Sequence, residues 1–313
     1  MLCHMTDKPR IITGRFAPSP TGALHLGSLV AAVGSYLVAK RTGGRWLVRI
    51  DDLDTPRGIA GMAEDILATL EEFGLEWDGE IAQQSESQDA YEAAFERLIA
   101  KGLVYPCGCS RREIALAASA PHPDDDCLPY PGTCRSGMRT GATCRSWRIR
   151  VADEDICFED LRRGHICQNL ARGCGDFVLR RADGGFAYQL AVVVDDYLTG
   201  VTQVVRGEDL LSSTPRQILL QRLLGYPQPA YCHLPLVTGP GGTKLSKRDN
   251  LISHHLGNWK GREGALLLAV LRFLGQEPPA ELTGAPCREI LLWGAAQFDA
   301  GRLPYTGGEL LLG

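Results

Sequence analysis

The sequence predicts an α/β fold: an open parallel sheet with helices on its faces, interrupted by an insert and closed by a short helical region. Three observations predict it. Two apolar, β-branched runs, "RIITGRFA" and "RWLVRI", flank a helical stretch of the length a parallel crossover needs. From Val104 to about Arg150, Pro, Gly, Cys and Asp displace the periodic apolar residues. Apolar runs and capped helices then resume and continue almost to the last residues.

The first strand halts at "PSPTG", where two prolines and a Thr-Gly pair punctuate the chain. Leu24 to Thr42 reads as a helix, with Leu26, Leu29, Val30, Val33, Leu37 and Val38 near helical spacing and Gly43-Gly44 as its stop. The second strand ends at "DDLDTPR", and residues 59–76 and 88–101 read as two more helices. The stretch "DFVLRRADGGFAYQLAVVVDDYLTGVTQVVRG" reads as strands: a hairpin around Asp183-Gly184-Gly185, then apolar runs ending at Asp195-Asp196 and Arg206-Gly207. "SSTPRQILLQRLLG" is a helix with a Ser/Thr cap, Pro in its first turn and Gly225 at its end. "HLPLVTGPGGTKLSKRDN" is a strand followed by a loop rich in glycine and lysine, and "REGALLLAVLRFLG" and "CREILLWGAAQF" are closing helices. The expected boundaries are 1–105 and 181–260 for the two halves of the sheet domain, 106–180 for the insert and 261–313 for the helical region.

With 313 residues, 44% of them hydrophobic, the chain can bury a sizeable core. Its net charge of −4 excludes a protein that is basic overall, so any contact with nucleic acid must be local. Residues 135–150 carry Arg135, Arg139, Arg145, Arg148 and Arg150 with no acid, and residues 244–262 set Lys244, Lys247, Arg248, Lys260 and Arg262 against Asp249. Residues 51–80, by contrast, hold ten acids and one arginine. "MLCHMTDKPR" lacks the apolar core of a secretory leader, and no apolar run approaches a membrane span. The expectation is a cytoplasmic protein without a membrane partner. Eleven cysteines, an odd count without an export signal, argue for reduced thiols over a disulfide framework.

Ligands of open parallel sheets bind beyond the carboxyl ends of the strands, where strand order reverses. The candidates there are Arg15, Phe16, Ala17, Pro18 and Ser19, then Asp51, Arg206 and the 244–248 loop. His25 opens a helix whose first N–H groups lack internal partners, a place suited to a phosphate, and Gly27 lets a ring or ribose approach the backbone. "KLSKR", introduced by "GPGG", is a loop that can fold over a triphosphate and set Lys244 and Lys247 against it. In the insert, the Cys107-x-Cys109 pair followed by Cys134 can make a tetrahedral zinc site, for which composition nominates Cys127 or Cys144 as fourth ligand. Structural cysteines are the other reading of these thiols.

"PSPTGALHLGS" and "KLSKR" resemble the HIGH and KMSKS signatures of class I aminoacyl-tRNA synthetases, and "RFAPSPTG", "VRIDDLDTPR" and "VVRGEDLLSSTPRQ" narrow the resemblance to the glutamyl/glutaminyl branch. Only 65 residues follow Arg248, too few for that branch's anticodon-binding domain, and with the "CGC…YPGTC" insert this is similar to the glutamyl-Q tRNA(Asp) synthetases. The resemblance implies a Rossmann-type nucleotide-binding domain that activates L-glutamate with ATP and Mg²⁺. It implies transfer of the glutamate to the queuosine base in the anticodon of tRNA(Asp). A monomer is the separate expectation for the chain.

It further implies that Arg15 to Ser19, Asp51, Tyr188 and Arg206 line the glutamate pocket. Asp51 stands where the family usually has Glu. His25, Gly27 and Lys247 would meet ATP, with Lys244 in the same lysine loop. One structural Zn²⁺ would be held by Cys107, Cys109, Tyr130 and Cys134, Cys127 being the rival to Tyr130. Cys3, Cys157, Cys167, Cys174, Cys232 and Cys287 read as ordinary thiols. A catalytically silent tRNA-binding protein and an acceptor-end glutamyl-tRNA synthetase fragment are the alternative functions.

Overall fold

A computed structural model describes residues 11–54, 57–110, 112–114, 129–239 and 259–311. The predicted β-α-β opening is present: β1 (Thr13–Phe16) and β2 (Arg45–Ile50) pair in parallel, Arg15 opposite Leu47, across helix α1 (Leu26–Lys40). The short β3 (Ala82–Gln83) adds to β2 in parallel, reached through α2 (Met62–Glu72). Helix α3 (Gln88–Ala100) leads to β4 (Val104–Cys107), which forms an antiparallel sheet in the order β4-β5-β8 with β5 (Ser146–Ile149) and β8 (Val178–Arg180).

Between β5 and β8 stands a hairpin, β6 (Asp155–Asp160) and β7 (Gly164–Asn169), then the single turn α4 (Leu170–Gly173). The hairpin does not stay with its sequence neighbours. It joins a second parallel sheet in the order β7-β6-β10-β9, built with β9 (Gln203–Gly207) and β10 (Ala230–Leu234).

The two parallel sheets abut where β1 meets β9: the Thr202 N–H donates to the Thr13 carbonyl at 2.9 Å, and the Thr13 N–H donates to Thr202 Oγ1 at 2.9 Å. Strands therefore run away from β1 in both directions, β2 on one side and β9 on the other, which is the crevice-forming reversal of an open α/β sheet. Helix α1 covers this seam. Its Gly34 lies so close to β10 that an added Cβ would stand 2.5 Å from a methyl of Leu234, which would have to shift to admit it. α1 is itself covered by α7 (Glu263–Phe273) and α8 (Cys287–Gln297), and together with the β1–β2 side of the sheet they form one apolar core around Leu29, Leu37, Trp46, Leu266 and Leu271. A second core joins α3, β5, β6 and β9 to α5 (Tyr188–Leu198) and α6 (Thr214–Leu224).

Two expectations are corrected. The run "YQLAVVVDDYL", read as a strand, is the helix α5, buried from Leu190 to Asp196. A continuous apolar run has no periodicity to separate a strand from a fully buried helix, and its three valines tilted the reading toward a strand. Cys157 and Cys167, expected as separate thiols, face each other across the β6–β7 hairpin and are joined by a disulfide. Sequence separation alone does not show that two positions share a register. Among the described residues no helix is long and apolar enough to cross a membrane.

Candidate functional site

The seam between the sheets carries a buried array of opposite charges. Arg15, 4% exposed at the end of β1, donates from Nε to both carboxylate oxygens of Asp196 on α5, at 3.1 and 3.3 Å. Arg49, next to last on β2, donates from Nη1 to Asp196 at 2.7 Å and from Nε to Asp51 at 2.7 Å, and its Nε lies 3.7 Å from Asp195. Asp195 in turn accepts from Gln84 Nε2 and from the Tyr91 hydroxyl, each at 2.7 Å.

Burial works against the charge on Arg49, but Asp51, Asp196 and Asp195 outweigh it and hold the guanidinium protonated. Burial would likewise raise Asp196, and the Arg15 and Arg49 guanidiniums bring its carboxyl below the usual range. Asp51 is raised, burial outweighing its pairing with Arg49. Asp195 is raised too, burial outweighing Arg49 and its hydrogen-bond donors.

Arg206 is next to last on β9, on the far side of the seam. Its Nε donates to His233 Nε2 at 3.2 Å and its Nη2 to Thr214 Oγ1 at 2.7 Å, while Nη1 is buried with no hydrogen-bond partner among the described residues. His233 on β10 meets Asp160 Oδ2 through Nδ1 at 2.7 Å, and the same carboxylate oxygen accepts the His233 backbone N–H at 3.0 Å. Acceptance at Nε2 and donation from Nδ1 fix one neutral tautomer, in keeping with a pKa that burial lowers. Asp160, His233 and Arg206 thus form one buried relay that holds the guanidinium in place. The Tyr231 ring lies 6.0 Å from the Arg206 guanidinium; burial pushes its hydroxyl up to about 12, with Arg206 and Arg15 among the charges that act on it.

Arg15 also keeps N–H groups in hand, since neither Nη nitrogen has a partner among the described residues. Two guanidiniums with unspent donors at the ends of neighbouring strands can bind two carboxylates, and an unpaired buried donor such as Arg206 Nη1 is costly unless a ligand satisfies it.

The other predicted residues take these places. Phe16 is buried and stacked on Trp46 with ring centroids 6.3 Å apart, so what it can offer a ligand is its backbone. Ala17 and Pro18 are half-buried and Ser19 is exposed. The Asp51 N–H donates to the Pro18 carbonyl at 2.9 Å, which ties the loop after β1 to the end of β2. Asp51 itself is buried, with both oxygens facing Arg49. Tyr188 stands in the first turn of α5, 36% exposed.

His25 is the N-cap of α1, its Nδ1 accepting the Ser28 N–H at 3.3 Å. An added Cβ at Gly27 would stand 3.1 Å from the His25 ring, so glycine leaves room for the imidazole over the first turn. Lys244, Lys247 and Arg248 lie outside the described residues, as does Cys127. Sequence reasoning missed Arg49, Asp160, Asp196, Thr214 and His233. The signals available were the "RI" before Asp51, the "DD" pair and the histidine opening "HLPL", each a polar residue inside an apolar run.

In the insert the three thiols of Cys107, Cys109 and Cys134 converge within 4.8 Å of one another. Cys109 Sγ is 3.6 Å from Cys134 Sγ, and the Tyr130 hydroxyl is 3.4 Å from Cys107 Sγ and 3.8 Å from Cys109 Sγ. A tetrahedral zinc ion with ordinary bond lengths spaces two sulfurs about 3.8 Å apart and a sulfur and an oxygen about 3.5 Å. The four side chains fit that ion. The Cys134 N–H donates to the Tyr130 oxygen at 2.8 Å and the Arg148 guanidinium lies over the Tyr130 ring at 3.9 Å, but burial and the neighbouring thiols outweigh the backbone donor and hold the hydroxyl well above its usual range, protonated. Burial opposes ionisation of Cys107, yet hydrogen bonds from Tyr130 and the Cys109 backbone, with Arg148, bring its thiol down to about 7. Cys144 is exposed, bonds the Ser146 carbonyl and lies outside the cluster.

Residues 11–283 match the family described as tRNA synthetases class I (E and Q), catalytic domain. The chain is 62% identical over 305 residues to a glutamyl-Q tRNA(Asp) synthetase of Geobacter sulfurreducens, covering 97% of each chain. It is 52% identical over 291 residues to that of Dechloromonas aromatica, covering 93% of this chain and 95% of the relative. Its fold is similar to a glutamate tRNA ligase of Elizabethkingia meningosepticum solved in complex with its amino acid. The TM-score is 0.78 at 26% identity, and the match covers 97% of this chain and 68% of that one. With a buried two-arginine site at the reversal point of the sheet and relatives matched nearly end to end, the chain belongs to the glutamyl/glutaminyl branch of the class I tRNA synthetases, in the group of the glutamyl-Q tRNA(Asp) synthetases.

Proposed function

We propose that this protein activates L-glutamate with ATP and transfers it to the queuosine base in the anticodon of tRNA(Asp). The observation that carries the amino-acid half is the pair of buried guanidiniums, Arg15 and Arg206: among the described residues Arg15 bonds only through Nε, and Arg206 Nη1 has no acceptor. Glutamate differs from most amino acids in having two carboxylates. Arg15 takes the side-chain carboxylate, Arg206 and Tyr188 complete the contacts, and the ammonium group is met by Asp51. Because Asp51 is a methylene shorter than the family's Glu and is drawn down onto Arg49, a bridging water completes that contact.

ATP lies against the first turn of α1. Its phosphates meet the first turn of the helix and His25, whose Nδ1 accepts the Ser28 N–H, and Lys244 and Lys247 meet them from the other side. The glutamate α-carboxylate attacks the α-phosphorus, and pyrophosphate leaves with the electron pair of the broken P–O bond. A carboxylate is already ionised at neutral pH, so the chain supplies no base for this step; it supplies alignment and positive charge. Mg²⁺ travelling with ATP adds to that charge. A hydroxyl of the queuosine ring then displaces AMP from the adenylate. Cys107, Cys109, Tyr130 and Cys134 hold one structural zinc, whose four protein ligands leave no open position for chemistry.

Glutamate-dependent exchange of pyrophosphate into ATP tests the first step. Nuclease mapping of labelled glutamate to the anticodon loop tests the second, and label at the CCA end would overturn it. Lys247→Ala is expected to reduce exchange strongly in a folded protein, and an unchanged rate would remove the lysine loop from the site.

A further inference from the structure

The β6–β7 hairpin gathers a second set of metal-binding side chains on one face, apart from the insert cluster. Cys157 stands opposite Cys167 and Glu159 opposite His165, so the i, i+2 alternation of each strand puts all four on the same side of the ribbon. The potential ligand atoms of Cys157, His165 and Cys167 lie within 4.8 Å of one another. His165 Nε2 is 3.2 Å from Cys167 Sγ, while its Nδ1 is 2.6 Å from the Glu159 carboxylate. This is the carboxylate–imidazole pairing that orients a metal-bound histidine: the second ring nitrogen donates to a carboxylate and the first is left to face the ion. His165 and Cys167 are exposed, so an ion reaches them from solvent.

We propose that this hairpin is a redox-gated site for a zinc-like divalent cation, with Cys157, Cys167 and His165 as ligands, Glu159 orienting the imidazole and a water in the fourth position. In the disulfide form the sulfurs are bonded to each other and the site is closed. A dithiol reductant opens it: the S–S bond breaks, the dithiol closes to its own disulfide, and its two protons pass to Cys157 and Cys167. Metal binding then displaces both thiol protons to solvent as two metal–sulfur bonds form. Two thiolates and one imidazole suit a borderline ion such as zinc over the hard cations that prefer oxygen.

The test is cobalt and zinc binding by the full chain after reduction with a phosphine, which leaves as its oxide and is removed by anaerobic gel filtration. The reduced protein is expected to bind one more equivalent of Co²⁺ than reduced Cys167→Ser, with sulfur-to-cobalt charge-transfer absorption belonging to that added equivalent. Oxidation to the disulfide should abolish the same equivalent, and Glu159→Gln should raise its dissociation constant about 10-fold. Equal Co²⁺ binding by reduced wild type and reduced Cys167→Ser would overturn the proposal, as would binding that survives disulfide formation. His165→Asn, an exposed change within the strand, gives an independent second reading: full-strength binding in that variant would remove the imidazole from the site. Because both arms of the main comparison keep the insert cysteines, a failure of the insert to hold zinc lowers both counts alike and leaves this difference readable.

Discussion

Arg15 on β1 and Asp196 on α5 meet at 3.1 Å although 181 positions separate them in the chain, and Arg49 on β2 reaches the same carboxylate at 2.7 Å. One aspartate on a helix thereby braces the ends of two parallel strands. Both arginines are kept in place without using up the outer donors of Arg15, so the brace and the ligand site share a residue without competing for its atoms.

Asp196→Asn removes the charge that both guanidiniums face in a buried setting. A broken buried pair leaves an uncompensated charge and costs about 3–5 kcal/mol. Urea unfolding should show that loss. Glu277→Gln, which removes an exposed partner of Arg302, should leave the midpoint unchanged.

Arg206→Lys keeps a positive charge but loses the fork that serves Thr214, His233 and a ligand at once. A hydrogen bond to a charged group contributes about 1.5–3 kcal/mol, so the KM for glutamate should rise about 10- to 100-fold. Exchange kinetics at varied glutamate give the value, and an unchanged KM would place the amino acid elsewhere.

His233 carries a pH dependence whose sign follows from its burial. Its folded pKa lies below the ordinary value of 6.5, so the unfolded chain binds its proton first as pH falls. Stability from the neutral relay is complete above about pH 6.5 and declines below it. Asp160, whose pKa is lowered because hydrogen bonds from His233 and nearby backbone outweigh its burial, adds a further loss at still lower pH with the same sign. Wild type should therefore lose stability between pH 7.5 and 5.5, and His233→Gln should show a flatter profile; denaturant midpoints at the two pH values decide.

Tyr130→Phe leaves three cysteine sulfurs converging in the insert but removes the oxygen beside them. Loss of an outer-shell partner alone weakens metal sites about 10- to 100-fold, so loss of this ligand should cost at least that much zinc affinity by chelator competition. Retention of full affinity would pass the fourth position to another group.

Much of this was legible in the chain itself. The prolines, glycines and caps around α1, α6 and the closing helices marked their ends, because each of those residues restricts backbone geometry locally. Arg15, Asp51 and Arg206 were legible as polar residues closing apolar strands. What stayed hidden depends on pairing across distance. Asp196 looked like the end of a strand because its neighbours are valines, and only the packing of α5 against β1 and β2 shows it as the shared counter-ion. His233 looked like a strand-opening histidine until β6, on the far side of β10, supplied Asp160. The opposed cysteines of the hairpin depend on a register that spacing does not give.

The abutment of β1 and β9 also has a consequence for synthesis. Gln203 follows Phe16 by 187 positions, so at about 5–20 residues per second the growing polypeptide exposes the unpaired side of β1 for roughly 10–40 s before its neighbour leaves the ribosome. An open strand edge of that kind invites pairing with other chains. The order in which the two half-sheets are made thereby sets how long that edge stays open during translation.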